Sequence, residues 1–354
     1  MIRPVDGRFG ARRIGLDIAR RGRPLSARMK AGLAVIGVAC LLTAGCCHLP
    51  VRGPDAPPPP LPAELSAQFD YPRALGLDAS ETGMRSRAWY EIRRIDMAAV
   101  PDRFDARRTV VLDYYSPRGG SKKPVVLLLP ISGGGYGLEE FFATYFARRG
   151  WAAVIVHRRK MPHEPADGEE LNGMLKGSIV DARRAMDWIE TRPELDATKM
   201  AVLGVSMGGI RATLLAAVDP RVQVAVLGLA GGDLPYVLRH TTERGIARRR
   251  EAVLKKNGLT PDGLEELYRK GLECDPNRLA PYLPRDRVLM VLGCWDHVVP
   301  IEKGRELRKN LRRPETILIP SGHYSALLCL PYIRHQAFEF MRERLEPQNH
   351  KATE

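Results

Sequence analysis

From Arg85 onward the chain alternates short apolar runs with segments whose apolar positions recur at helical spacing. Residues 125–129 and 151–156 are continuous apolar stretches, the pattern of strands covered on both faces rather than one. Residues 200–205, 222–229, 288–292 and 316–319 repeat it. Two further strand candidates come earlier, residues 89–100 and 109–116, the second followed by a Pro-Arg-Gly-Gly turn. Between these runs lie the helical segments. Residues 138–149 form one, ended by Gly150 in the C-terminal capping position. Ile179, Ala182, Met186 and Ile189 mark another, and residues 211–218, 302–311 and 326–345 complete the set, the last broken near Pro331. Strand and helix in alternation predict an α/β fold, a mostly parallel central sheet flanked by helices and joined by right-handed crossovers. One stretch interrupts the alternation. From Gly232 to Pro284 the chain is rich in helix formers with no strand pattern, which predicts a helical lid at about residues 233–284 over the carboxyl edge of the sheet. Residues 85–345 are thus expected to be one domain, with 346–354 a short tail.

The segment before Arg85 reads differently. Met29-Lys30 precedes an apolar run of 14 residues, Ala31 to Ala44, which has the length of a signal-peptide core and is too short to span a bilayer. It ends in Leu-Thr-Ala-Gly-Cys at Cys46, which resembles a bacterial lipoprotein signal, although Thr43 stands where leucine is more usual. The resemblance implies removal of residues 1–45, lipidation of Cys46, and a protein exported and held at the periplasmic or extracellular face of a membrane; an ordinary secretory signal or an uncleaved anchor is the alternative. Met29 is a candidate start, with residues 1–28 an upstream extension. Gly53 to Pro62 reads G-P-D-A-P-P-P-P-L-P, a composition that favours extended polyproline II, so residues 46–84 are expected to form a proline-rich tether containing a short helix.

Net charge adds little once its distribution is seen. Of the formal +14, half sits in residues 1–45, leaving +7 spread over the remaining 309 residues. The densest later cluster, Arg244, Arg248, Arg249, Arg250, Lys255 and Lys256, is interrupted by Glu243 and Glu251 and has no interleaved aromatic residue. It reads as a solvated helix face and not as a nucleic-acid surface. Six cysteines are present, Cys40, Cys46, Cys47, Cys274, Cys294 and Cys329, and an exported chain could pair two of the last three. No C-x-x-C occurs, so a structural zinc is not expected, and no other metal or cofactor is called for.

The strongest chemical signal is G-V-S-M-G-G, Gly204 to Gly209. A bare G-x-S-x-G arises by composition in roughly one chain in ten; its context carries the weight. It follows an apolar strand directly and precedes a helix directly, the setting in which a serine is held on a tight turn above a sheet. The structural alternative is a plain glycine-rich turn. A serine hydroxyl needs a base to take its proton, and that base needs an orienting carboxylate. Residues 288–292 lead into G-C-W-D-H-V-V-P, placing Asp296 just past a strand, and residues 316–319 lead into P-S-G-H-Y-S, placing His323 just past the next. Ser206, Asp296, His323 is the chain order such a sheet requires. A helix-capping role is the alternative for each of the last two. The remaining histidines fit no such order, and His297 is expected to point away from the serine. Two backbone N–H groups are needed for a developing oxyanion. Met207 should supply one, and the P-I-S-G-G-G-Y loop after residues 125–129 the other, from Gly133 or Gly134. His163, Glu164 and Asp167, in an expected loop at residues 158–176, are candidates for the pocket or for solvated positions.

On these motifs, residues 85–345 resemble the α/β-hydrolase superfamily, nearest to its dienelactone-hydrolase-like and acetyl-esterase-like branches. D-A-R-R-A-M-D-W-I, Asp181 to Ile189, belongs to the same likeness. Dienelactone hydrolases carry cysteine at the elbow where this chain has Ser206, and many relatives carry histidine where it has Ser132. The resemblance implies a serine hydrolase that cleaves a small-molecule carboxylic ester through an acyl-enzyme. A peptidase or thioesterase with the same three residues, and a non-catalytic lipid-tethered binding module, are the alternatives. Neither the natural substrate nor the oligomeric state is legible.

Overall fold

A computed structural model describes residues 48–51, 56–103, 109–159 and 167–346. The candidate signal, Cys46 and most of the C-terminal tail lie outside these residues, as do His163 and Glu164.

Among the described residues ten strands form one sheet. In chain order they are β1 (His48–Leu49), β2 (Ser80–Ser86), β3 (Tyr90–Ala98), β4 (Thr109–Pro117), β5 (Lys123–Leu129), β6 (Ala152–Val156), β7 (Leu195–Val205), β8 (Val222–Gly228), β9 (Val288–Gly293) and β10 (Glu315–Ile319). Across the sheet they run β1-β10-β9-β8-β7-β5-β6-β4-β3-β2. The six strands from β10 to β6 are parallel, and the pairs at both margins are antiparallel. The apolar runs explain this division. β6 and β9 are buried at every residue, and β5 at all but its first. β3 alternates buried and part-exposed positions and β2 is exposed throughout, as edge strands can be.

Helices cover both faces. α2 (Gly137–Ala147) and α10 (Leu330–Leu345) lie on one, packing Phe142, Phe146, Phe338 and Met341 against β5, β6 and β9. α3 (Gly168–Glu190), α4 (Met207–Val218) and α9 (Ile301–Asn310) lie on the other, with Ile179, Met186, Leu214 and Leu307 in the core. The break expected near Pro331 is present: a 3₁₀ turn, Ser325–Cys329, precedes α10, whose first turn takes the proline. Between β8 and β9 the chain forms four helices, α5 (Leu234–His240), α6 (Arg244–Asn257), α7 (Pro261–Arg269) and α8 (Pro276–Leu279).

Two expectations are corrected. Part of the expected tether is built into the domain. A short helix, α1 (Ala63–Ala67), is followed by Phe69, which is fully buried, and β1 and β2 extend the sheet at its two ends. The cause is the pair Arg183-Arg184 on α3. Arg183 donates to the Phe69 carbonyl at 2.7 Å, and the fully buried Arg184 donates to Leu75 and Gly76 at 2.9 and 2.7 Å. Asp187, one turn on, accepts from the Tyr71 hydroxyl at 2.7 Å. Two charged residues on a core-facing helix were the available sign that another segment docks there. The second correction concerns residues 158–176, of which Gly168 onward is α3. Asp167 is its N-cap, accepting from the Glu170 amide at 2.8 Å, and so has a structural role. Cys274, Cys294 and Cys329 form no disulfide with one another.

Candidate active site

β7 ends at Val205 and α4 begins at Met207, so Ser206 alone makes the turn between them. Its backbone is left-handed, with φ 57° and ψ −122°, a conformation that costs a non-glycine residue free energy and is held by its surroundings. The holding contacts are specific. The Ser206 amide donates to the Gly228 carbonyl at 2.8 Å, and its carbonyl accepts from Ile210 at 3.0 Å. A Cβ on Gly204 would come within 2.1 Å of the Gly208 carbonyl oxygen, and one on Gly208 within 2.0 Å of the Leu129 oxygen. Both glycines are therefore required for the turn to close against the ends of β5 and β7.

The two loops expected to face this turn do so. His323 Nε2 lies 3.0 Å from Ser206 Oγ, and His323 Nδ1 lies 2.7 Å from Asp296 Oδ2. Asp296 is 2% exposed, and its other oxygen accepts from the amides of Val298 and Val299 at 2.9 and 3.0 Å. The capping and the chemical readings of this aspartate are thus not exclusive: one oxygen secures the turn after β9, the other faces the histidine. His323 caps no helix, since α10 starts at Leu330 after a Cys329 N-cap. Its loop is set by Ser325 Oγ, which accepts from the Gly322 amide at 2.9 Å. His297 is exposed and turned away, and its carbonyl accepts from Thr242. His157 pairs with Asp113 at 2.8 Å, and the Tyr136 ring lies tilted against it with the centroids 4.2 Å apart.

Met207 opens α4, so its N–H belongs to the first turn, which has no intrahelical acceptor. Gly133 and Gly134 line the same cavity as Ser206 and Met207, and Gly134 has φ 75°. Two residues that the sequence gives no functional role hold this loop. Arg158, just past β6, donates to the carbonyls of Gly134 and, at 3.2 Å, Ile131, while its guanidinium lies 4.5 Å over the Tyr136 ring. Glu139, 4% exposed on α2, accepts from the Ile131 amide at 3.1 Å; burial pushes its carboxyl above the usual range. A charged residue two positions after a buried five-residue strand was the only sequence signal for Arg158. Because Arg158 holds the carbonyls of Ile131 and Gly134 in the loop that lines the cavity, Arg158→Met should lower kcat roughly tenfold with little change in KM. That is less than the ~10²–10³ lost with a direct oxyanion donor. Steady-state kinetics on a small ester check this; an unchanged kcat contradicts it.

Ser206 and His323 sit at the wall of a cavity of about 410 Å³. Its lining is largely aliphatic, drawn from α3 (Leu171, Leu175), the inserted helices (Leu234, Val237, Ile246) and the turn before α10 (Leu327). The insertion between β8 and β9 thus closes the cavity over the sheet edge. Glu243, the one carboxylate on its wall among the described residues, caps α6 by accepting from the Ile246 amide at 2.6 Å. Among the described residues no group of three or more His, Cys, Asp or Glu side chains could hold a metal ion.

No protein-family model matches the chain. An uncharacterized protein of Mycobacterium tuberculosis is 26% identical over 182 residues, 46% of this chain and 41% of the relative. An uncharacterized protein of Bacillus subtilis is 26% identical over 92 residues, 26% of this chain and 77% of that protein. The chain therefore spans well under half the length of the Mycobacterium relative. Solved structures are similar over more of it. An acetyl xylan esterase from Paenibacillus sp. R4 superposes with a TM-score of 0.62 at 19% identity, covering 80% of this chain and 92% of that one. Acetyl xylan esterase 1 from Thermoanaerobacterium gives 0.57 at 18%, covering 83% and 96%. An α/β-hydrolase from Penicillium gives 0.52 at 15%, covering 71% and 98%. This chain has the α/β-hydrolase fold. At these identities the likeness carries the architecture and leaves the chemistry to the site itself.

Proposed function

We propose that the protein is a serine hydrolase that cleaves carboxylic esters with an apolar acyl group through an acyl-enzyme. The observation that carries this reading is the unbroken hydrogen-bonded run Ser206–His323–Asp296 at the wall of an aliphatic cavity. His323 Nε2 takes the proton of Ser206 Oγ as the oxygen attacks the ester carbonyl carbon. The charge that develops on the carbonyl oxygen is received by the Met207 N–H and an N–H of the Gly133–Gly134 loop. As the tetrahedral intermediate collapses, the C–O bond to the alcohol breaks and His323 returns the proton to the leaving oxygen. Water then repeats the sequence on the acyl-enzyme, releasing the acid. Asp296 holds His323 with Nδ1–H directed at its carboxylate and stabilises the cation formed at each proton transfer. Esterase activity among the structural neighbours agrees with ester hydrolysis as the general class.

The cavity argues for acyl groups longer than acetyl. Each methylene moved from water to an apolar wall contributes about 0.8 kcal/mol, close to a fourfold gain in kcat/KM. A p-nitrophenyl ester series from acetyl upward should therefore rise about fourfold per methylene until the cavity is full. A maximum at acetyl contradicts the apolar-acyl reading, and no turnover on esters together with no labelling by a fluorophosphonate contradicts the hydrolase reading.

We further propose that Cys46 is lipidated and tethers the enzyme to a membrane surface outside the cytoplasm. Support comes from the sequence of Lys30, a 14-residue apolar core and Thr43-Ala44-Gly45-Cys46. Among the described residues no helix is long and apolar enough to cross a membrane. Mass spectrometry of the mature N-terminus should find a diacylated or triacylated Cys46, and an unmodified N-terminus contradicts it.

A further inference from the structure

A second chamber, about 180 Å³, adjoins the main cavity and shares with it the walls formed by Ser132, Leu171, Leu175, Met207, Leu238 and Ile246. Its own walls differ in kind. Arg159, Arg211, Arg249 and Arg250 line it, and among the described residues no carboxylate does.

The four arginines are not equivalent. Arg159 is ion-paired with Asp102. Arg250 donates to the carbonyls of Leu238, Arg239 and Thr241 at 3.1, 2.6 and 3.2 Å, tying α6 to the end of α5. Arg211 has no hydrogen bond or ion pair among the described residues, and its Nε is buried without an acceptor. It stands in the second turn of α4, five residues beyond Ser206. Burial lowers its pKa to about 10; Arg158 and Arg159 push the same way, and Asp181 and Tyr136 oppose them. A guanidinium whose Nε is buried with no acceptor is expensive for a fold to keep, and a shorter apolar side chain would fill the position at lower cost. Its guanidinium fork is matched to one planar oxyanion.

We propose that Arg211 is a specificity-determining residue that receives a carboxylate carried by the ester substrate. The preferred substrates are then monoanionic esters, with the scissile carbonyl at Ser206, an apolar stretch along the shared walls, and the carboxylate in the side chamber. This deepens the esterase reading and rests on it.

The test compares esters that differ only in that charge. On the acyl side, 4-nitrophenyl hydrogen glutarate is set against its methyl-capped form; on the alcohol side, 4-carboxyphenyl butyrate against 4-(methoxycarbonyl)phenyl butyrate. In the wild-type protein, kcat/KM for the anionic member of at least one pair should exceed that of its neutral partner by tenfold or more. The pair showing the preference identifies which side of the scissile bond the chamber serves. Arg211→Met should collapse the ratio mainly through KM, and Arg211→Lys should retain part of it, with melting curves verifying that both variants are folded. A wild-type preference for the neutral member of both pairs, or a ratio unchanged in folded Arg211→Met, overturns the subsite. In either case hydrolysis of the neutral esters leaves the esterase reading standing. Hydrolysis of none of the four esters removes that reading and the subsite with it. If neither variant folds, the wild-type ratio alone decides.

Discussion

Replacing Ser206 by alanine is expected to lower kcat by at least about 10³-fold and to abolish labelling by a fluorophosphonate, while the melting temperature changes little. The chemical half of this expectation follows from the geometry. Ser206 Oγ is the only hydroxyl hydrogen-bonded to His323 Nε2 among the described residues, so removing it removes the atom to which an acyl group would be joined. What remains is water attack assisted by the oxyanion donors and by binding, and in hydrolases with this arrangement that residue of catalysis is small beside the whole. The structural half follows from the turn. Alanine keeps the Cβ, so the left-handed backbone at φ 57° costs what it costs in the parent, and the bonds to Gly228 and Ile210 are made by the backbone alone. The hydroxyl faces a cavity, so its loss leaves no crowded void. Gly208→Ala is the instructive contrast, because its new methyl would meet the Leu129 oxygen and the turn itself would have to move. Steady-state kinetics with melting curves separate the two cases. Turnover near the parent's in folded Ser206→Ala would remove the nucleophile assignment.

The parts of this molecule that could be read in advance are those whose cause is local. β5, β6 and β9 are legible because a strand covered on both faces has to be apolar at nearly every position. The Ser206 turn is legible because only glycine fits beside it, at 204 and 208. Asp296 and His323 are legible because consecutive parallel strands deliver their following loops to one edge, so position just past a strand end is itself spatial information. What escaped reading depends on partners far away in the chain. Phe69 sits in a proline-rich stretch with no periodicity, and its burial is decided by Arg183, 114 positions later. Arg158 was assigned to a loop, and its work on the carbonyls of Ile131 and Gly134 exists only once β6 lies beside β5. Arg211 follows the elbow motif closely enough to pass for an ordinary helix residue. That its Nε has no acceptor among the described residues is a fact about the surrounding space, which a sequence does not display.

Replacing Asp296 by asparagine should lower kcat by about 10³- to 10⁴-fold with KM changed little, and here the structure decides which way the amide must turn. Asp296 Oδ1 accepts from two backbone amides, Val298 and Val299, and the residue is 2% exposed. An asparagine whose NH₂ faced those amides would set donor against donor twice over at a buried position, so its oxygen is forced to that side. Its NH₂ then faces His323 Nδ1 at the position the carboxylate held at 2.7 Å. A donor there obliges Nδ1 to accept, which places the ring's proton on Nε2, pointing at Ser206. The histidine can no longer receive the serine proton, and the fault is one of tautomer rather than of shape. Cavity walls and substrate contacts are untouched, which is why KM should hold. Asp296→Ala makes the complementary comparison, since it leaves the two amides without an acceptor and should lose stability as well as activity. Kinetics and melting curves on both variants test the argument. An Asp296→Asn enzyme that turns over esters at near the parental rate would mean that another group orients His323.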